Sequence, residues 1–223
     1  MMASDGQSTE LVGDQFIRFT SDKIHQLGKN VLWGGSGDGG AIQEIKAKLD
    51  GLGPACQGSH QSLRAAFSEK VFEVNQLRFT RWRQMPRPNT QPPTAAFSLL
   101  AQYEGDKPRI VEFQEHGAAT NYEQVGYHAI GSGSVFACAN LWGYDVKKCT
   151  MDQAKTLAYM TVYKAIEIAA FGLGYPIDVW TITRRGDSVS IVQATKEERE
   201  ALEDATKTII QRQVEVFTAH MKS

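Results

Sequence analysis

The run from Tyr127 to Ile182 constrains this chain more than any other part of it. It reads as strand, Gly-Ser turn, short helix, loop, long helix, turn and strand. Gly131-Ser132-Gly133-Ser134 breaks a strand and opens a helix, which gathers several backbone N–H groups at one helix start without bulky side chains in the way. Thr150 and Gln153 form a capping box that sets where the long helix begins. Ala154, Leu157, Ala158, Val162, Ala165, Ile166 and Ala169 then recur at helical spacing, the apolar stripe of a helix packed on a sheet. Gly172 and Gly174 stop that helix, and Pro176 opens a strand in which Ile177, Val179 and Thr181 share one face.

Around this centre, 223 residues suffice for one domain, spanning 1–223, with a core that needs no staples. Lys and Arg number 24 against 25 Asp and Glu, so no bulk field favours nucleic acid or an anionic membrane. No apolar run reaches transmembrane length and no signal-like segment opens the chain, which points to a cytoplasmic protein. Three cysteines, Cys56, Cys138 and Cys149, fit reduced thiols, with Cys138 expected as a small core residue. The five histidines form no metal-binding pair, so neither a metal nor a cofactor is expected.

From the start, Met1 to Gly6 reads as the end of a strand entering an Asp-Gly turn. Short strands are expected around Lys23, carrying Phe16, Ile17 and Phe19 and then Ile24, Leu27 and Val31 to Trp33. A Gly-rich run, 34–40, leads into a helix over Ala41–Asp50 that Gly51, Gly53 and Pro54 end. A second helix over Gln61–Gln84 should bury Leu63, Phe67, Val71, Val74 and Leu77. Met85–Pro93 holds four prolines and must be a surface connection. Thr94–Glu104 and Arg109–Gln114 form a hairpin, and a further strand is expected around Glu123–Ile130. After the central run, Arg185-Gly186-Asp187 turns the chain back, and a capping box at Thr195 and Glu198 opens a last helix with Leu202, Ala205, Ile209, Val216 and Phe217 inward. Helices before, between and after two groups of antiparallel strands fit an α+β fold, a four-layer α/β/β/α sandwich.

The pattern A-I-G-S-G-S-x-x-A, followed by a long helix closing on P-I-D-V-W-T-I, resembles the second half of proteasome β-type subunits and their bacterial relatives. Those are N-terminal-nucleophile hydrolases, and the resemblance can be followed from about Met2 to Ile191. It implies a threonine-type peptidase subunit acting in protein degradation, in a ring of like or related subunits, with polypeptide substrates and a possible ATPase partner. The Ala3-Ser4-Asp5 run resembles a segment that, in the family, follows a first strand carrying the nucleophilic threonine. That strand is absent here. The native product is therefore expected to begin upstream, and the chain as given is expected to be inactive. The alternative is a non-catalytic structural subunit of a proteasome-like ring.

By the same resemblance, Asp5 and Lys23 match the carboxylate and the lysine that keep such a nucleophile reactive. Ser132 matches the serine that contacts the α-amine, and Gly37 the glycine whose backbone N–H receives the oxyanion. The acidic and serine pair at the end of the long helix appears here as Ala170 and Leu173. Plainer readings stand beside these. Asp-Gly is an ordinary turn, a lone lysine is an ordinary solvated face, and Ser132 could simply cap a helix. The run 34–40 lacks the Gly-Lys-Ser/Thr of a phosphate loop. Arg81-Trp82-Arg83 suits a helix end, where cations favour the dipole, better than a nucleic-acid contact.

Overall fold

The computed structural model describes residues 1–12, 15–52, 59–86, 91–168 and 172–221, except for the side chains of 10–16. Three antiparallel sheets account for the strands. In the five-stranded sheet, Ile24–Leu27 (β4), Val31–Ser36 (β5), Phe97–Glu104 (β6), Lys107–Phe113 (β7) and Ala119–Asn121 (β8) lie side by side in chain order. A three-stranded sheet has Ile177–Arg185 (β9) at its centre, flanked by Met2–Asp5 (β1) and Ser188–Gln193 (β10). Gln7–Val12 (β2) and Gln15–Thr20 (β3) form a separate hairpin between β1 and β4. The helices are Gly39–Asp50 (α1), His60–Gln84 (α2), Ser134–Trp142 (α3), Met151–Glu167 (α4) and Lys196–His220 (α5).

Three apolar clusters join these elements. Ile45 and Leu49 of α1, with Leu63, Phe67, Val71 and Val74 of α2, pack on Trp33, Leu100, Val111 and Phe113 of the five-stranded sheet. Met2, Ile24, Leu32, Ala101 and Ile182 fill the space between the two larger sheets. Tyr159 of α4 and Leu202 of α5 cover Ile177 and Val179 on the other face of the smaller sheet. This explains why β5 is apolar at consecutive positions. Successive strand residues point to opposite faces, so Val31 and Trp33 enter the first cluster while Leu32 enters the second. A strand covered on both sides reads as a continuous apolar run.

Local signals hold where they were read. Thr150 with Gln153 and Thr195 with Glu198 both form reciprocal capping boxes, and Ile177, Val179 and Thr181 are all buried on one face of β9. Other expectations give way to tertiary packing. The strand expected over Glu123–Ile130 is absent, because Gly126 N–H bonds back to Tyr122 O and the ring of His128 stacks on Tyr122 at 3.6 Å, folding the segment on itself. The edge strand instead is Ala119–Asn121. Leu77 is exposed rather than buried. Cys138 is half-buried rather than a core residue. Along α5 the expected inward stripe fails at its end: Val216 and Phe217 are 71% and 67% exposed. Of the proline-rich connection, 87–90 lie outside the described residues.

Candidate functional site

Asp5 ends β1, and Lys23 immediately precedes β4, so the β2–β3 hairpin leaves from one residue and returns to the other. The Lys23 ammonium lies 2.7 Å from Asp5 Oδ1. Asp5 Oδ2 accepts the backbone N–H of Gln7 at 3.1 Å and that of Gly174 at 3.2 Å. A carboxylate with only 6% of its residue exposed is thus met by three donors, which is how a buried charge is made tolerable. The lysine keeps 23% of its side chain exposed, so one side of the ammonium faces outward from the pair.

The surrounding backbone is drawn in tightly. Gly6 N–H donates to Gly174 O at 3.0 Å, and Ser21 N–H donates to Gly6 O at 2.9 Å. A β-carbon at Gly174 would meet the Gln7 side chain, which would have to shift to admit it. In sequence, Gly174 read only as part of a helix stop. Its second role depends on a partner 169 residues away, and no local signal could have shown it.

Gly37 and Ser132 form a second group. Gly37 follows β5 with φ +102, and a β-carbon there would drive into the carbonyl of Ala95. Its neighbour Asp38 caps α1 by accepting from Ala41 N–H and pairs with Arg78 at 2.7 Å, which fixes the turn from both sides. The 131–133 turn lies against this one: a β-carbon built at Gly131 would sit 3.4 Å from Ser36 Cβ. Gly133 packs on Leu173, one of the two positions where the acidic and serine pair was sought, while Ala170 lies outside the described residues. Ser132 itself is exposed and does not cap α3, whose N-cap is Gly133 without a side-chain bond. Asp5 and Lys23 are therefore in direct contact, and Gly37 and Ser132 occupy neighbouring turns. Among the described residues, no hydrogen bond ties the Ser132 hydroxyl to Asp5 or Lys23. Ser36, whose buried hydroxyl lacks a partner, lies between the two turns and was not foreseen from sequence.

A further titratable cluster sits just upstream of the 131–133 turn. Glu112 accepts from the Tyr122 hydroxyl at 3.0 Å, and His128 Nε2 lies 3.1 Å from the same carboxylate oxygen, off the line a hydrogen bond needs. Burial pushes the His128 pKa below its ordinary 6.5, outweighing the attraction of Glu112. Burial also raises the Cys138 thiol. Among the described residues, no group of His, Cys, Asp and Glu is placed to hold a metal, and no helix is long and apolar enough to cross a membrane.

The architecture is proteasome-like. The solved structures that share it include the Gly-1 mutant of Anbu from Hyphomicrobium sp. strain MC1, with a TM-score of 0.72 and 13% identity over 97% of this chain and 90% of that one. Another is Anbu from Yersinia bercovieri, described as an ancestral β-subunit, with a TM-score of 0.69 and 16% identity over 97% of this chain and 91% of that one. No family model matches the chain, and no curated protein is similar to it. These findings correct the resemblance read from the sequence. The two structural neighbours named are Anbu proteins, a proteasome-like but distinct family, and no family model or curated protein supports a proteasome β-type subunit. At such identities a likeness speaks for the fold alone.

Proposed function

We propose that this chain is an Anbu-like subunit of N-terminal-nucleophile type, built as a four-layer α/β/β/α sandwich and directed at amide bonds in polypeptides. The observation that carries this reading is the Lys23–Asp5 pair: an ammonium held at 2.7 Å from a carboxylate that two backbone N–H groups already anchor. In such chemistry a hydroxyl attacks the substrate carbonyl and its proton passes, through water, to a neighbouring amine. An ester forms, the substrate amine leaves with a proton, and water then cleaves the ester. Lys23 supplies the positive charge that favours the hydroxyl's ionised form and disfavours protonation of the amine. Asp5 orients Lys23. The backbone N–H of Gly37 receives the developing oxyanion, and Ser132 binds the amine.

The described name of the Yersinia structure, a β-subunit, supports reading this chain too as part of a self-associated assembly, for which a ring is the natural closed form. The unpaired thiols of Cys138 and Cys149 support a reducing, cytoplasmic setting. An ATPase that unfolds and delivers substrates would suit an assembly of this kind.

The test is covalent labelling of the protein, isolated as the cell makes it, with a hydroxyl-directed electrophile such as a β-lactone. Mass spectrometry should place the label on a hydroxyl or thiol beside Lys23, and Lys23→Ala should abolish labelling while Asp5→Asn weakens it less. Folded protein that takes no label would sink the hydrolase reading and leave a structural subunit.

A further inference from the structure

The chain reaches the 131–133 turn through a stretch with little main-chain support. Among the described residues, no backbone–backbone hydrogen bond holds 127–130. Tyr127, His128, Ala129 and Ile130 are nevertheless all half-buried, so side-chain contacts fix the path. Several of these contacts centre on Glu112. It sits within β7, paired with Leu99 of β6 and Thr120 of β8, so strands on both sides fix its position. Tyr122 N–H donates to Ile110 O at 2.9 Å, which keeps the chain on β7 up to that point. The Tyr122 hydroxyl donates to Glu112 Oε2 at 3.0 Å, and the His128 ring lies on the Tyr122 ring, 13° from parallel. His128 Nε2 is buried 3.1 Å from the same carboxylate oxygen, without an aligned hydrogen-bond partner. The stack and the carboxylate's charge, rather than a directed bond, hold the imidazole. One residue on, the backbone of Ala129 meets the Cys138 thiol of α3, the helix that the turn opens.

We propose that Tyr122 and His128, gathered on Glu112, are positioning residues that brace the 131–133 turn against β7 and so set where Ser132 stands. This role rests on the hydrolase reading, in which Ser132 binds the amine. Ser132 is exposed, so its hydroxyl is aimed by the backbone of its turn rather than by packing. Gly131 meets Ser36 on one side of that turn, and the braced stretch enters from the other. Glu112 is the charged group beside the His128 ring. Its titratable neighbours are the Tyr122 hydroxyl and, from α3, the Cys138 thiol. An imidazolium at this place is attracted by Glu112, but burial outweighs that attraction. Protonating the ring therefore works against the brace.

Hydrogen exchange and covalent labelling together test the brace. Tyr122→Phe removes only a hydroxyl and should quicken exchange at the amides of 131–134 about tenfold or more, through the loss of one hydrogen bond to a charged group. Val125→Ala, at an exposed position of the same segment, should leave that exchange unchanged. With a β-lactone on the protein as the cell makes it, Tyr122→Phe should slow labelling at least about tenfold without abolishing it, because a displaced binding group costs rate. His128→Phe keeps a ring on Tyr122 but takes no proton. Its labelling rate should fall less steeply than that of wild type as pH drops below 6.5, a difference that lost packing alone would not produce. Exchange at 131–134 that Tyr122→Phe leaves at the wild-type rate overturns the brace. Quickened exchange with undiminished labelling, or an identical pH profile in His128→Phe, overturns the positioning role while the hydrolase reading stands. A folded wild type that takes no label sinks that reading and this role together. If Tyr122→Phe does not fold by circular dichroism, the pH profile of His128→Phe decides.

Discussion

Asp5 and Gly174 stand 169 positions apart in the chain, yet the glycine's N–H reaches the carboxylate at 3.2 Å and shares it with Lys23. One carboxylate thereby joins the end of β1, the start of β4 and the turn before β9. Removing it should be costly in proportion. Asp5→Ala leaves two backbone donors and an ammonium without their acceptor, and should lower stability by about 2–4 kcal/mol. Lys23→Met, which loses a partly exposed charge and keeps the stem, should cost about 1–2 kcal/mol. Urea denaturation measures both, and an equal cost would show that the carboxylate has no structural role beyond the pair.

Two neighbouring glycines should respond in opposite directions. Gly37 has φ +102 and the Ala95 carbonyl where a β-carbon would go, so Gly37→Ala should destabilise by at least about 2 kcal/mol. Gly39 begins α1 with nothing within 4 Å of a β-carbon, so Gly39→Ala should be neutral or stabilising by up to about 1 kcal/mol. Thermal melts of the two variants decide this. A harmless Gly37→Ala would refute the close approach.

Core and rim positions of α2 should also separate. Phe67 is fully buried, stacked on Phe113 at 4.6 Å and edge-on to Trp33 at 5.7 Å. Phe67→Ala should cost about 3–5 kcal/mol. Leu77, an exposed position of the same helix, should cost less than about 1 kcal/mol on the same change. A comparable loss at Leu77 in denaturant titrations would mean its face is covered.

Acid should loosen the segment ahead of the 131–133 turn. Burial lowers the His128 pKa in the folded state below 6.5, and it lowers that of His25 as well. The unfolded chain therefore binds more protons than the folded one as pH falls through 6.5, so the folded state is favoured above that value and loses this contribution as pH drops through the depressed pKa. Proton NMR of the imidazoles should show both titrating below 6.5. Hydrogen exchange across 122–134 should quicken in the same window, and less so in His128→Gln. A His128 midpoint above 6.5 would reverse the sign and show that Glu112, not burial, governs the ring.

What the sequence determined by itself was local. The capping boxes at Thr150 and Thr195, the turn at Gly186 and the alternation of Ile177, Val179 and Thr181 each depend on residues a few positions apart, so their chemistry is complete within a short window. The Asp5–Lys23 pairing was reached only through resemblance, and the family that the resemblance named finds no support in a family model or a curated protein. Tertiary structure decided the rest. It folded 122–130 onto Glu112 rather than leaving a strand, and it brought the N–H of Gly174 to a distant carboxylate. It also let α5 outrun the body. An apolar stripe records only that a helix face avoids water. Whether that face is covered by this chain's own sheet, as at Leu202, or left exposed, as at Phe217, depends on where the body ends, which no helical period encodes.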